Sequence, residues 1–237
     1  MSTTALPTLP DPNDGLGAYG LPSTILSMQK TGFRRWGFHI YRCTYDDDDA
    51  WNCYVGNLEN ELKKGLEATG SDYMLAPYHE WTIVEDREAL DGAPKGDVRL
   101  RFREWSEARS VERDGPGADH DLIGQTGLVA RFEACIMVDK ECLDSMEKNK
   151  GKSNRSEPYF VVIGLDRLAP PPRPPTEEDL EELRETGDED ILGEDDGDDE
   201  TWMLASCQSY VELYNDLCGM GPWWRQRQAP PDIYPYI

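Results

Sequence analysis

One stretch of the chain gathers the side chains from which binding and catalytic sites are usually built. Arg109-Ser110-Val111-Glu112-Arg113-Asp114-Gly115-Pro116-Gly117-Ala118-Asp119-His120-Asp121 holds two guanidinium groups, four carboxylates and one imidazole within thirteen positions. Its glycines permit a sharp turn and bare backbone amides. In the triplet Asp119-His120-Asp121 a carboxylate can orient an imidazole as a general base or as a metal ligand. Asp119, His120 and Asp121 are therefore the catalytic candidates. Arg109, Arg113, Asp114 and His120 are the candidates for ligand binding, with the arginines set to hold an anionic group. The same residues also suit a plainer purpose, because Arg and Asp around a Gly-Pro-Gly turn can simply hold a loop closed. That plainer reading leads.

Elsewhere the reactive types are dispersed. His39 falls inside a strand pattern and His79 begins one, and no spacing links either to His120. The six cysteines (43, 53, 135, 142, 207 and 218) include no CxxC and no Cys/His pair at finger spacing, which argues against zinc. Asp46-Asp47-Asp48-Asp49 invites a metal reading, but it stands where a helix begins, and acidic residues there cap amides and complement the helix dipole. A calcium loop starting at Asp188 fails at Leu192 and Asp199. GxGxxG, P-loop and GxSxG motifs are missing, so neither a metal nor a cofactor is expected.

The charge balance narrows the partners. From Thr176 to Glu200 there are 15 acidic residues against one basic, Arg184; this tract carries −14 of the total −23 and leaves −9 for the rest. An acidic chain without a Lys/Arg cluster repels phosphate backbones and anionic lipid surfaces, so neither nucleic acid nor membrane is expected as a partner. No run of about 18 apolar residues occurs, and the first twenty residues have neither a basic n-region nor an apolar core. Scattered cysteines without a signal suit reduced thiols, and the expected location is cytoplasmic or nuclear.

The elements that must position these residues follow from periodicity. Residues 1–33, rich in Pro, Gly, Ser and Thr, read as a flexible arm with a turn of helix around Pro22–Met28. Trp36–Cys43 is a first strand, with apolar side chains on both faces. Trp51, Tyr54, Val55, Leu58, Leu62 and Leu66 then recur at steps of three and four, the stripe of a helix closed by Gly70. Tyr78–Glu85 reads as a strand, and Lys95–Ser110 as a helix opened by Pro94. Arg131–Asp139 reads as a half-buried strand, Leu143–Met146 as a short helix and Tyr159–Leu165 as an apolar strand. A Pro-rich and acidic segment, 168–200, reads as a disordered insertion, and its PxxP as a spacer. Trp202–Ser206 is then a strand, Tyr210–Leu217 a helix, Trp223–Arg227 a last strand, and Pro230–Pro235 a tail that packs back.

This order, β-α-β-α-β-β-α-β, predicts an α+β fold: one domain from 34–167 and 201–237, a mixed sheet with helices on one face, and a ferredoxin-like core. Three stretches carry a resemblance. These are Trp36-Gly37-Phe38 with Tyr41-Arg42-Cys43-Thr44-Tyr45, the Arg109–His120 loop, and Arg131-Phe132 with Cys135-Ile136-Met137-Val138-Asp139. Together they resemble a family of uncharacterised proteins of filamentous ascomycete fungi, over about Phe33 to Tyr234. The resemblance implies a fungal, intracellular protein and supplies no catalytic residues. Two functions stay open. One is a non-enzymatic binding or protein-interaction domain, in which aromatics such as Trp223, Trp224, Tyr234 and Tyr236 meet a protein partner. The other is a small-molecule-binding domain or enzyme that uses the Arg109–Asp121 loop.

Overall fold

The structure, a computed structural model, describes residues 20–123, 128–148, 158–165, 201–219 and 232–234. They build an α+β domain around one six-stranded mixed sheet. The expected disorder of 168–200 and the expected strand Trp223–Arg227 lie outside the described residues.

The first element is longer than the turn of helix expected around Pro22–Met28. Within the supposed arm of residues 1–33, Pro22–Thr31 is a helix, α1, and Leu21, Ile25 and Met28 are buried in the core. Those three side chains stand four and three residues apart, the step of one helical face. Proline at the first turn costs no hydrogen bond there, and Gly32 in the left-handed region closes the C-terminus.

Strand β1 (His39–Arg42) is shorter than expected; Trp36, ahead of it, makes only an isolated parallel bridge to His79. Helix α2 (Asp48–Ala68) follows. The Asp47 side chain accepts a hydrogen bond from the Ala50 amide at 2.8 Å, so the aspartate run opens a helix, as the capping reading required. Trp51, Tyr54, Leu58, Leu62 and Leu66 are buried along one stripe. After the short α3 (Asp72–Leu75), strand β2 (Thr82–Val84) occupies only the end of the expected Tyr78–Glu85 strand, because Ala76–Tyr78 winds into a 3-10 turn at Pro77. A turn of helix α4 (Arg87–Leu90) and helix α5 (Lys95–Glu107) lead to α6 (Val111–Asp114) inside the polar loop. Strand β3 (Ala134–Val138), helix α7 (Lys140–Lys148), strands β4 (Tyr159–Gly164) and β5 (Trp202–Ser206), helix α8 (Tyr210–Gly219) and the two-residue β6 (Ile233–Tyr234) complete the order.

The sheet runs β2-β1-β3-β4-β5-β6. β1 is parallel to β2 on one side and to β3 on the other, while β3-β4 and β4-β5 are antiparallel and β5-β6 is parallel. A ferredoxin-like core splits its β-α-β units with antiparallel neighbours. Here β1 has parallel neighbours on both sides, so the sheet does not form that core.

The expected single helical face is also corrected. Phe38 meets Tyr210 and Tyr214 of α8, with ring centroids 5.3 and 5.0 Å apart. Its neighbour His39 lies over Trp105 of α5 at 3.5 Å. Successive strand residues point to opposite faces, so helices cover both. The connections explain it. The chain crosses from β1 to β2 in one direction and from β2 past β1 to β3 in the other, and right-handed crossovers of opposite direction place their helices on opposite faces. All five residues of β3 are consequently buried, where alternation had suggested a half-buried strand.

Candidate functional site

The Arg109–Asp121 loop places its charged groups against itself. Ser110 caps α6: its Oγ accepts from the Arg113 amide at 3.2 Å, and its own amide donates to Asp114 Oδ2 at 3.1 Å. Arg113 Nε donates to both Asp114 oxygens at 3.0 and 2.9 Å, and Nη1 donates to the Trp105 carbonyl at 2.8 Å. The guanidinium lies over the Trp105 ring, 4.5 Å from its centroid. Arg109 Nη2 donates to the Ile123 carbonyl at 3.0 Å. His120 Nδ1 accepts from the Leu122 amide at 3.1 Å, which puts the proton of the neutral ring on Nε2. Asp119 and Asp121 are exposed.

The loop thus brings Arg113 and Asp114 together, holds His120 on the backbone of Leu122 rather than on Asp119 or Asp121, and turns Arg109 toward Ile123. Beneath it Ala118 and Ile123 join Phe33, Val129 and Phe132 in a small apolar cluster apart from the main core. The geometry is that of a cover over apolar side chains.

The other two histidines are set for packing. Burial first, then the charges of Arg131 and Arg113, lowers the His39 pKa to about 3. Burial and Arg131 lower that of His79 to about 4, and its Nε2 stands 3.2 Å from the Tyr210 hydroxyl. Both rings are neutral at pH 7. Arg131 itself is buried and joins the starts of β1 and β2: it donates to the Gly37 carbonyl at 2.9 Å and to Thr82 Oγ1 at 2.8 Å. All six cysteines are free thiols, five of them buried. Burial pushes the thiol of Cys43 up to about 12, far from the thiolate that a nucleophile needs. Among the described residues no group of three or more His, Cys, Asp or Glu side chains could hold a metal ion. No helix among them is long and apolar enough to cross a membrane.

An open crevice lies elsewhere. β1 sends its chain toward β2 and β3 sends its chain toward β4, so the carboxyl ends of two adjacent parallel strands diverge. Such a switch point leaves a gap that no crossover covers, and in open sheets ligands bind there. Here the gap is a cleft of about 490 Å³. Three segments wall it: Cys43–Asp46 leaving β1, Asp91–Lys95 ahead of α5, and Asp139–Glu141 opening α7. Backbone bonds hold the walls in place. Cys43 donates to the Val138 carbonyl at 2.8 Å, and the Gly92 amide donates to the Cys43 carbonyl at 3.1 Å. Asp139 caps α7 by accepting from the Cys142 amide at 2.9 Å.

The cleft's chemistry is acidic above an apolar floor. Met137, Ala93 and the buried Cys43 contribute the floor. Asp46, Asp91, Asp139 and Glu141 stand around it. Of its two ammonium groups, Lys140 is paired with Asp144 at 3.0 Å and Lys95 lies over the Trp202 ring at 4.2 Å. None of the sequence-derived candidates lines it. Its residues carry no motif, and only the strand order brings them together.

No family model, curated protein or solved structure matches the chain.

Proposed function

We propose that the chain is a non-enzymatic binding protein that takes a small molecule bearing an ammonium group into the cleft at the carboxyl ends of β1 and β3. The position of that cleft carries the reading, since a switch point provides a gap between walls that the backbone holds in place. Carboxylates outnumber ammonium groups there by four to two; both lysines have partners, and of the carboxylates Asp139 caps α7 and Asp91 stands 3.9 Å from Arg87, so the lining keeps a net negative charge. The six free thiols suit a reducing compartment, cytoplasmic or nuclear. The acidic balance of the chain disfavours nucleic acid as a partner.

Thermal unfolding with spermidine, agmatine or lysine as probes tests it. A ligand at about 100 times its dissociation constant stabilises a protein by about 2.7 kcal/mol, so a clear rise in Tm is expected with at least one amine. The rise should disappear in the Asp91→Asn/Glu141→Gln double variant. Equal shifts in both proteins, or no shift with any amine, would sink the proposal.

A further inference from the structure

A second feature, on the other side of β1, points to a different kind of partner. Among the described residues the sheet ends at β2, which pairs there with β1 alone. The Thr82 amide donates to the Phe38 carbonyl at 3.3 Å, so Thr82 turns its backbone groups inward. The next residue of a strand points its own outward. Ile83 N–H and C=O therefore face away from the sheet.

The side chains alternate the same way. Ile83 stands opposite Ile40 in the register, on the face that α2 covers, and it is 36% exposed. Between β2 and α2 runs a groove of about 530 Å³. Trp51, Val55, Gly56 and Ile83 offer it apolar surface, and a side chain at Gly56 would meet nothing within 4 Å. Asp48, Glu59 and Glu85 rim it. The one cation of the lining, Arg42, is already engaged: it pairs with Asp48 and with Glu85 at 3.1 Å, between the rings of Tyr45 and Trp51. Three carboxylates against one committed guanidinium leave the groove negative.

We propose that this edge binds an extended, basic peptide by adding it to the sheet beside β2. The peptide's backbone pairs with Ile83, and its alternate side chains enter the groove, with Lys or Arg toward Asp48, Glu59 and Glu85 and a branched apolar residue over Val55 and Gly56. Charge selects the occupant. A second copy paired edge to edge would bring two acidic rims together on chains that each carry −23. The shortness of β2 has the same effect, since a three-residue edge gives little to a strand that cannot also satisfy the rim. The site is independent of the cleft between β1 and β3.

The test is a selection of random displayed peptides on the full chain, followed by affinity measurement of the enriched sequences on two variants. Ile83→Pro removes the outward amide donor while the bonds of Thr82 and Val84 to β1 stay in place. Gly56→Arg fills the groove with bulk and positive charge at an open helical position, and it replaces a residue with poor helix propensity. The expected winners alternate Lys or Arg with Val, Ile or Tyr and lose at least about tenfold in affinity on each variant. If Ile83→Pro fails to fold, Gly56→Arg carries the test alone. The proposal is overturned if the enriched peptides have no basic bias, if they bind Gly56→Arg as tightly as the native chain, or if only the Asp91→Asn/Glu141→Gln variant loses them. It is also overturned if the edge pairs with itself, so that the native chain dimerises and Gly56→Arg does not.

Discussion

The Arg109–Asp121 loop and the cleft between β1 and β3 carry similar charged side chains and dispose of them in opposite ways. In the loop, Arg113 meets Asp114 and the Trp105 carbonyl, Arg109 meets the Ile123 carbonyl, and His120 meets the Leu122 amide, all at 3.2 Å or less. In the cleft, Asp46, Asp91 and Glu141 are exposed around a volume of about 490 Å³. The difference lies in what surrounds the groups, not in what they are. A carboxylate or guanidinium that has its hydrogen bonds inside the protein is spent on stability, and taking it away leaves its partner buried and unsatisfied. One that faces an opening costs the fold little and remains available. Changes in the loop should therefore act on stability, and changes in the cleft on binding.

The largest effect should come from the loop's backbone. Gly117 has φ +86, and a Cβ there would stand 2.4 Å from the Phe33 amide nitrogen and 2.7 Å from the Thr31 carbonyl oxygen. Those are main-chain atoms at the end of α1 and cannot swing aside. Gly117→Ala should cost about 3 kcal/mol or more, through strain and clash together, read as a lower urea midpoint. Asp114→Ala comes next. Asp114 is 6% exposed and holds both the Ser110 amide and the Arg113 guanidinium. Its loss should cost about 2 to 3 kcal/mol. A loop variant of this kind that kept full stability would break the comparison, because the loop would then be free for another task.

These particulars also show what a sequence can reveal. Helix α2 was legible because its stripe, its aspartate cap and Gly70 all point the same way. Helix α1 was legible only as a turn around Pro22–Met28, because the Pro, Gly, Ser and Thr around it obscure the face along which Leu21, Ile25 and Met28 step. The loop's residue types were legible; whether their bonds were already made depended on carbonyls at Trp105 and Ile123 that no local pattern connects to them. β3 read as half-buried because Glu133, Cys135 and Met137 alternate with Phe132, Ala134, Ile136 and Val138, yet α5 packs on that second face. The cleft was illegible for a stronger reason. It exists because β3 lies beside β1, and that adjacency is a property of strand order, which short-range periodicity does not carry.

A pH experiment sharpens the contrast. The ordinary histidine pKa of 6.5 falls to about 3 for His39 and about 4 for His79 in the folded chain. Between those values and 6.5 the unfolded chain binds protons that the folded one refuses. Their contribution is thus intact above pH 6.5 and is lost as pH falls through 6.5 toward 4 and 3. Urea midpoints at pH 7 and pH 5 should show the drop, and His39→Phe should reduce it. Arg113 is the smallest of the causes that hold His39 neutral, after burial and Arg131, so a change at Arg113 should leave the slope between pH 7 and pH 5 nearly as it was, and so should Asp91→Asn/Glu141→Gln. An unchanged slope in His39→Phe would mean that the imidazole over Trp105 is not what resists protonation.

The smallest effects separate the two regions most cleanly. His120→Ala removes one acceptor, the Nδ1 that receives the Leu122 amide on a half-buried ring, and should cost about 1 kcal/mol while amine binding in the cleft stays at its native level. Asp91→Asn/Glu141→Gln alters two exposed carboxylates; among the described residues the Asp91 carboxylate has a distant ion pair, 3.9 Å from Arg87. Its cost should stay within about 0.5 kcal/mol, with the amine-induced rise in Tm gone. The two variants measured side by side form a crossed test, since each should lose what the other keeps. If His120→Ala abolished the response to amines with stability intact, the imidazole would be a ligand after all, and the loop rather than the cleft would be where this chain does its binding.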